Sequence, residues 1–335
     1  MTVGSRVVVA APICYKVSMR QLIWILAALV ATLAATAAER DDWYRASVVN
    51  LHFDNHSDLL AKGVPRDDLA AALASIPVSM VQVSGQSNRW ATYPTAVGLN
   101  NPAADGYDTL ATFRDICRAQ GKKLCVYMSV DRRPDQLAAH PEWAAREADG
   151  KISVNSEPIV CQRPNRAHKG YLYEQFLPQI KEIIAKYDPD GLWYDGDYIL
   201  PRPCWCANCL AEWQAEVGTP APKDAGAADW AKWIAWHRAR YREYRRLVAE
   251  TIHGASAKCL YTSNWSWAWD PEPVPDFADT LSGDVGSFGQ ALRAAQRWGA
   301  GAKPFDIMSH ATPGARSLTR QYSLQIGRAS CRERV

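Results

Sequence analysis

The sequence predicts an α/β fold, namely a (β/α)8 barrel that is cut off near its eighth unit. Runs rich in β-formers alternate with amphipathic helical stripes, and no glycine-rich dinucleotide fingerprint follows the first run. Alternation of this kind implies parallel strands, because a helical crossover is the usual way back to the same sheet edge. About 290 residues of mature chain suit one such barrel, whose active residues follow the strands.

Four strand and helix units are expected in the first two thirds of the chain. The strands are predicted at 46–54, 78–84, 123–130 and 191–194, where β-branched and aromatic residues concentrate. Apolar residues recurring on one face indicate the helices between them. These residues are Leu69, Leu73 and Ile76, then Leu110, Phe113, Ile116 and Cys117, then Phe176, Ile180, Ile183, Ile184 and Tyr187.

Three more strands are expected in the last third, beginning at Cys259, Asp279 and Pro304. A long helix over 229–253 precedes them, and a shorter one over 291–298 separates the last two. The count of predicted strands is therefore seven.

The two ends of the chain are predicted to lie outside the barrel, which we assign to 39–325. Residues 1–38 read as a secretory signal: a basic Arg20 precedes the apolar run Leu22 to Leu33, and small residues follow at Ala35 to Ala38. The true start then falls after residue 18, and a retained anchor is the alternative. Residues 326–335 resemble vector-derived sequence. A secreted or periplasmic protein with no stable membrane span after signal cleavage is expected.

Composition favours a carbohydrate ligand over a nucleic acid. The formal charge is only +3, and no long basic run with interleaved aromatics occurs. Fourteen Trp stand against six Phe, and indole rings are good flat platforms for amphipathic ligands such as sugars.

Polar side chains follow almost every predicted strand, and two of them are carboxylates suited to glycoside hydrolysis. That reaction needs one carboxylate as nucleophile or base and another as proton donor. Asp195 is the candidate nucleophile and Asp284 the candidate acid/base, although Asp284 could equally be a loop residue. The candidate substrate-binding residues are His52, Asp54, Ser87, Asn88, Trp90, Asp197, Asn264, Trp265 and His310.

Several stretches resemble the α-L-fucosidase-type glycoside hydrolases, and more closely their relatives called hypothetical glycosyl hydrolases, which are related to some β-galactosidase-like barrels. They are WYRASVVNLHFDNHS, WATYPTAVG, LCVYMSV, HPEWAAREADGK and YDPDGLWYDGDY with CWCANC. The resemblance implies a (β/α)8 barrel, a nucleophile at Asp195 and a sugar-binding His52. An oligosaccharide, polysaccharide or glycoconjugate is the implied substrate, and a retaining reaction without a cofactor is expected.

One stretch departs from the fucosidase pattern. VQVSGQSNRW places Ser87 and Asn88 where fucosidases carry paired histidines, and Gly85 where they carry a lysine. Fucose is therefore not the expected sugar. A non-catalytic carbohydrate-binding barrel is the alternative, and a metal-assisted hydrolase using His52, Asp54 and His56 is a third option.

Three cysteines cluster in CWCANC: Cys204, Cys206 and Cys209. They could bind zinc with a fourth ligand such as Cys161 or a histidine, or form disulfides in an exported protein. Either arrangement predicts a structural role for this loop rather than a catalytic metal.

Overall fold

The computed structural model describes residues 48–51, 61–196, 202–264, 274–285, 288–299 and 303–309. Nine strands occur in these ranges, seven of which run parallel to a neighbour. They are β1 Val48–Leu51, β2 Met80–Gln86, β3 Lys123–Ser129, β4 Val154–Asn155, β5 Glu157–Pro158, β6 Gly191–Asp195, β7 Leu260–Ser263, β8 Leu281–Val285 and β9 Phe305–Ser309.

The parallel strands follow one another in chain order. One sheet has the order β1, β2, β3, β6 and β7, and β8 pairs with β9. A parallel bridge between Asn264 and Ser282 joins the two groups. Within the described ranges the strands do not close into a ring, but their order is that of a (β/α)8 barrel. Consecutive strand ends therefore meet on one rim.

Seven α-helices occur in the described ranges, and most of them connect successive parallel strands. A 3₁₀ turn, Pro141–Trp143, follows the third helix, and a π turn, Leu172–Phe176, precedes the fourth. The helices are α1 Arg66–Ala74, α2 Thr109–Ala119, α3 Pro134–Ala139, α4 Leu177–Tyr187, α5 Ala207–Val217, α6 Trp230–Ala255 and α7 Phe288–Gly299. None of these helices combines the length and the apolar character that a membrane crossing needs.

Two of the three predicted helical stripes are the buried faces of α2 and α4, whereas in the first stripe only Leu73 is buried and Ile76 lies beyond the end of α1. In α2, Leu110, Phe113 and Ile116 are buried, and the Asp108 side chain caps the first turn by accepting from the Ala111 N–H at 2.8 Å. In α4 the buried stripe ends where Asp188 adopts a left-handed conformation. The sequence therefore located the helices that cover the sheet.

Three elements were not predicted from the sequence: α3, α5 and the short β4–β5 hairpin. The hairpin strands have two residues each, too few for any alternation to show. The second strand was predicted at 78–84. In the structure it begins and ends two residues later, at Met80 and Gln86.

Two large buried clusters and a small one, of Val285 and Ala291, lie in the described chain. The largest one fills the space between the parallel strands and helices, with Val81, Val126 and Leu192 at its centre. The second large one joins Cys161 and the CWCANC loop to α5 and α6 through Trp213 and Trp233. The excess of tryptophan is thus used in part for packing, since Trp213 and Trp233 are fully buried.

Candidate active site and thiol cluster

Asp195 is the last residue of β6 and lies beside Ser129, the last residue of β3. Its Oδ1 accepts from the Asn264 amide at 3.0 Å, and its Oδ2 accepts from the Tyr127 hydroxyl at 2.9 Å. The side chain keeps 20 % of its surface exposed. Two fixed donors thus hold the Asp195 side chain at the rim, where a ligand can still reach it.

Asp284 in β8 is joined to Asp195 through Asn264. The Asn264 Nδ2 donates to Asp284 Oδ1 at 3.0 Å as well, and the Asp284 N–H donates to Asn264 Oδ1 at 3.3 Å. Because one nitrogen binds both Oδ1 atoms, these two atoms lie at most about 6 Å apart. The structure therefore brings together the three residues predicted at the ends of successive strands.

Arg132 links Asp195 to a second acidic residue, Asp131. The Arg132 guanidinium lies 3.2 Å from Asp131 Oδ1 and 3.5 Å from Asp195 Oδ2. Asp131 is almost fully buried, and its Oδ2 accepts from Asn155 of the β4–β5 hairpin at 3.2 Å. Desolvation raises the pKa of Asp131, although the Arg132 charge and the Asn155 hydrogen bond oppose this. Asp131 thus orients the arginine that contacts Asp195.

Gly196 is required where β6 ends against Asp131. Its φ is +99°, and a Cβ at this position would lie 2.1 Å from Asp131 Oδ1. Any side chain would displace the Asp131 carboxylate and with it Arg132. The Asp-Gly pair at the strand end therefore has a steric cause.

Ser87 and Asn88 follow β2, but their polar atoms have partners in the protein. The Ser87 hydroxyl donates to the Trp90 carbonyl at 3.0 Å and stabilises its own turn. Asn88 is buried: its Oδ1 accepts from Ser129 at 2.6 Å, and its Nδ2 donates to Glu157 at 3.0 Å. Trp90 is half-buried. Sugar contacts by these three residues stay a prediction.

Five further candidate residues lie outside the described residues, as does His56 of the metal-assisted option. The five are His52, Asp54, Asp197, Trp265 and His310.

The contacts of Tyr127 and Arg132 with Asp195 were not predicted. Tyr127 stands two residues before Ser129 and so shares its face of β3, which is a period-two signal available in the sequence. No comparable pattern marks Arg132, whose contact depends on the loop that follows β3.

Cys161, Cys204, Cys206 and Cys209 form a buried cluster whose sulfur atoms all lie within 4.8 Å of one another. All four are free thiols, and Cys161 Sγ is 3.7 Å from Cys209 Sγ, far beyond the about 2.05 Å of a disulfide. The fourth member is Cys161, one of the candidates expected from the sequence. Four cysteine sulfurs gathered this closely are the ligand set of a tetrahedral structural zinc site, in which Zn–S bonds are about 2.3 Å.

The surroundings of the cluster favour a thiolate at Cys161, whereas hydrogen bonds with Cys161 and Cys204 raise the pKa values of Cys206 and Cys209. Hydrogen bonds from the other three thiols hold the pKa of the Cys161 thiol well below its usual value. The Arg163 guanidinium lies 3.8 Å from Cys161 Sγ, and the Arg146 N–H donates to Cys204 Sγ at 3.4 Å. These residues can hold a metal ion with no open coordination position, which is a structural rather than a catalytic arrangement.

The parallel strands follow one another in the order of a (β/α)8 barrel, and solved structures share this fold. An α-L-fucosidase, isoenzyme 2 from Paenibacillus thiaminolyticus, superposes with a TM-score of 0.63 at 20% sequence identity. The superposition covers 78% of this chain and 40% of the fucosidase, and it confirms the predicted fold.

Residues 67–196 match the family model described as hypothetical glycosyl hydrolase 6, which confirms the resemblance seen in the sequence. The matched range contains Tyr127, Asp131 and Asp195. A glycogen debranching enzyme of Pectobacterium atrosepticum is 26% identical over 121 residues, which are 35% of this chain and 18% of that enzyme. The chain thus spans less than half the length of either relative.

Proposed function

We propose that this protein is a glycoside hydrolase in which Asp195 is the nucleophile and Asp284 the acid/base. The observation that carries the proposal is the pair of carboxylates from two parallel strands, held by the single amide of Asn264. Parallel barrels carry their chemistry on this rim. The family match over residues 67–196 supports the same class of reaction.

The spacing supports retention of configuration at the anomeric carbon. Retaining enzymes have carboxyl groups about 5–5.5 Å apart and inverting enzymes about 6.5–9.5 Å. The shared Asn264 amide holds the nearest oxygens of Asp195 and Asp284 close together, as a retaining pair requires. Asp195 attacks the anomeric carbon while Asp284 donates a proton to the departing glycosidic oxygen. Asp284 then takes a proton from water, which cleaves the glycosyl ester on Asp195.

The substrate class is an oligosaccharide, a polysaccharide or a glycoconjugate. The names of the relatives give the first compounds to test: α-L-fucosides and glycogen. We also propose that the protein is exported, on the basis of the signal-like residues 1–38. Amino-terminal sequencing of the exported protein tests this, and a mature chain starting before Leu22 would contradict it.

The reaction is tested with Asp195→Asn and Asp284→Asn on a panel of nitrophenyl glycosides and glycogen. We expect Asp195→Asn to lose several orders of magnitude in kcat while ligand binding, followed by tryptophan fluorescence, persists. Asp149→Asn, at an exposed loop carboxylate, is the matched control. The product configuration, followed by NMR, reports retention or inversion.

Two results would count against the proposal. Unchanged turnover in Asp195→Asn would remove the nucleophile assignment. Sugar binding by the wild-type protein without release of reducing ends would instead favour the non-catalytic carbohydrate-binding barrel.

A further inference from the structure

A pocket of about 260 Å³ opens next to Asp131, whose partner Arg132 also contacts Asp195. Trp205 of the CWCANC loop and Trp230 at the start of α6 line it. Their rings are stacked, with centroids 6.3 Å apart and an angle of 22° between the planes. The pocket thus combines aromatic faces with a buried carboxylate close to the proposed nucleophile.

Trp205 is held rigidly by its neighbours. It stands between two members of the thiol cluster, Cys204 and Cys206. Its backbone N–H donates to the Arg146 carbonyl at 2.8 Å, and its indole Nε1 donates to the Pro222 carbonyl at 2.8 Å. The ring remains only half-buried. An indole held in this way and by Trp230 and Trp233, and still partly exposed where it lines the pocket, is a pre-organised contact surface for an amphipathic ring.

The polar lining of the pocket favours a neutral, hydroxyl-rich ligand. Two carboxylates, from Asp131 and Glu147, are balanced by two guanidinium groups, from Arg163 and Arg202. An anionic ligand would face both carboxylates, whereas hydroxyl groups can donate to the carboxylates and accept from the arginines. The volume lies just below the about 300–1,000 Å³ of pockets for drug-sized ligands, so it suits about one sugar ring.

The two oxygens of Asp195 indicate which part of a substrate this pocket serves. Oδ1 is joined through Asn264 to Asp284, the group that protonates the leaving oxygen. Oδ2 contacts Arg132, and Arg132 contacts the pocket residue Asp131. The leaving group must lie beside Asp284, on the Oδ1 side, whereas the pocket connects to Oδ2, so we assign it to the part of the substrate that stays on the enzyme.

We infer that this pocket binds a second sugar ring, attached to the non-leaving side of the ring that reacts, with Trp205 as its stacking surface. The inference rests on the proposed function and specifies its substrate class, namely glycans with at least two rings on that side. In the first step the leaving group keeps the glycosidic oxygen and takes the proton from Asp284, while the two-ring portion becomes esterified to Asp195.

The test compares nitrophenyl monosaccharides with nitrophenyl disaccharides of glucose, galactose and fucose, because the leaving group is then constant. Trp205→Ala should lower kcat/KM for the cleaved disaccharide by about tenfold or more and leave the monosaccharide within about twofold. Trp205→Phe should keep most of the activity. Leu210→Ala, an exposed apolar residue on α5, is the control.

Further variants separate loss of the stacking surface from loss of folding. Trp230→Ala removes the other aromatic wall and should weaken the same substrate selectively. Cys206→Ser should reproduce the Trp205→Ala pattern if the cluster holds the ring in place. Equal loss on monosaccharides and disaccharides, or no loss in either tryptophan variant, would overturn the inference.

Failure of the subsite is distinguishable from failure of the proposed function. If the wild-type protein cleaves no glycoside, the hydrolase proposal fails. The sugar-binding subsite is then tested by measuring binding without cleavage. In that case nitrophenyl disaccharides are titrated into wild-type and Trp205→Ala protein by calorimetry. Binding that is absent, or that does not depend on Trp205, would overturn the subsite.

Discussion

The Tyr127 hydroxyl donates a hydrogen bond to Asp195 Oδ2 at 2.9 Å. Tyr127 lies in β3 and Asp195 at the end of β6, so the contact joins neighbouring parallel strands. The Tyr127 ring is stacked on the Trp193 ring, with centroids 5.4 Å apart, and this contact fixes the direction of the Tyr127 hydroxyl. The donor is therefore already oriented before a substrate binds, a form of electrostatic pre-organisation.

Tyr127→Phe should lower kcat by about 10- to 100-fold, because it removes one fixed donor from the nucleophile and keeps the ring. The melting temperature should change little, since the stacking on Trp193 remains. Steady-state kinetics and thermal unfolding check this together. Tyr173→Phe, at a ring that stacks on His168, serves as the control, and a kcat equal to wild type in Tyr127→Phe would contradict the prediction.

Asn264→Ala should reduce kcat more strongly than Tyr127→Phe, by about 100-fold or more, because one amide positions both carboxylates. Asn264→Asp should be at least as damaging, since it places a third carboxylate between the two. Gln214→Ala on the exposed face of α5 controls for loss of an amide. If Asn264→Ala raises only KM, Asn264 binds substrate rather than positioning Asp195 and Asp284.

The sequence was sufficient to predict that Asp195, Asn264 and Asp284 lie at strand ends. Each follows a run of strand-forming residues, and parallel strands bring their carboxyl ends to one rim. Period two places Tyr127 on the same face of β3 as Ser129, but its contact with Asp195 also depends on the register that pairs Ser129 with Asp195. The register between two strands that are far apart in the chain cannot be predicted from a local pattern in the sequence.

The loops show the same limit. Cys161 was one candidate for a fourth cluster ligand, but only the folded path of residues 131–161 selects it over a histidine. In the structure His237 is a neighbour of the cluster, where its Nε2 accepts from the Cys204 N–H at 3.3 Å. Burial lowers the pKa of His237 to about 2, so the ring stays neutral and suits this acceptor role.

Gly196→Ala should destabilise the protein and lower its activity. An alanine must adopt φ near +99° and must displace the Asp131 carboxylate, whose Oδ1 would lie 2.1 Å from the new Cβ. Gly63→Ala is the matched control, because Gly63 has φ of +84° and no atom within 4 Å of the place that a methyl group would occupy. The control isolates the backbone cost of about 1 kcal/mol, and we expect Gly196→Ala to exceed it by about 2 kcal/mol in urea unfolding.

The double variant Gly196→Ala with Asp131→Ala tests the cause of that difference. Removing the Asp131 carboxylate relieves the steric conflict, so the two substitutions should cost less together than the sum of their separate effects. If the two losses of stability simply add, glycine is required at position 196 by its backbone conformation and not by the nearby Asp131 carboxylate.

The thiol cluster should bind about one zinc ion per chain, measured by elemental analysis of the purified protein. Cys206→Ser should lose the metal and lower the melting temperature, because the cluster ties the loop at Cys204 to the strand-proximal Cys161. Cys117→Ser, at a buried thiol of α2 outside the cluster, should retain the metal. Two results together would contradict the metal site: the purified protein contains no near-stoichiometric zinc, and all four thiols react with an alkylating agent after mild unfolding.

Stability should decline as the pH rises through about 6, owing to Asp306 in β9. Its Oδ2 accepts from Ser282 at 3.0 Å, and Trp193 donates to the same hydroxyl at 2.8 Å. Although part of the residue is exposed, the surrounding protein desolvates the carboxyl enough to raise its pKa from 3.8 to about 6. Because the folded-state pKa is the higher one, the stabilising contribution is present below the unfolded value and is lost as the carboxyl ionises.

Asp306→Asn should flatten this part of the pH profile, since the amide cannot ionise. Ser282→Ala should move the decline to higher pH, because the hydroxyl that favours the charged form is gone. Urea unfolding between about pH 4 and about pH 8 measures both effects. A wild-type profile that rises over this range, with Asp306→Asn unchanged from it, would mean that Asp306 is ionised in the folded protein throughout.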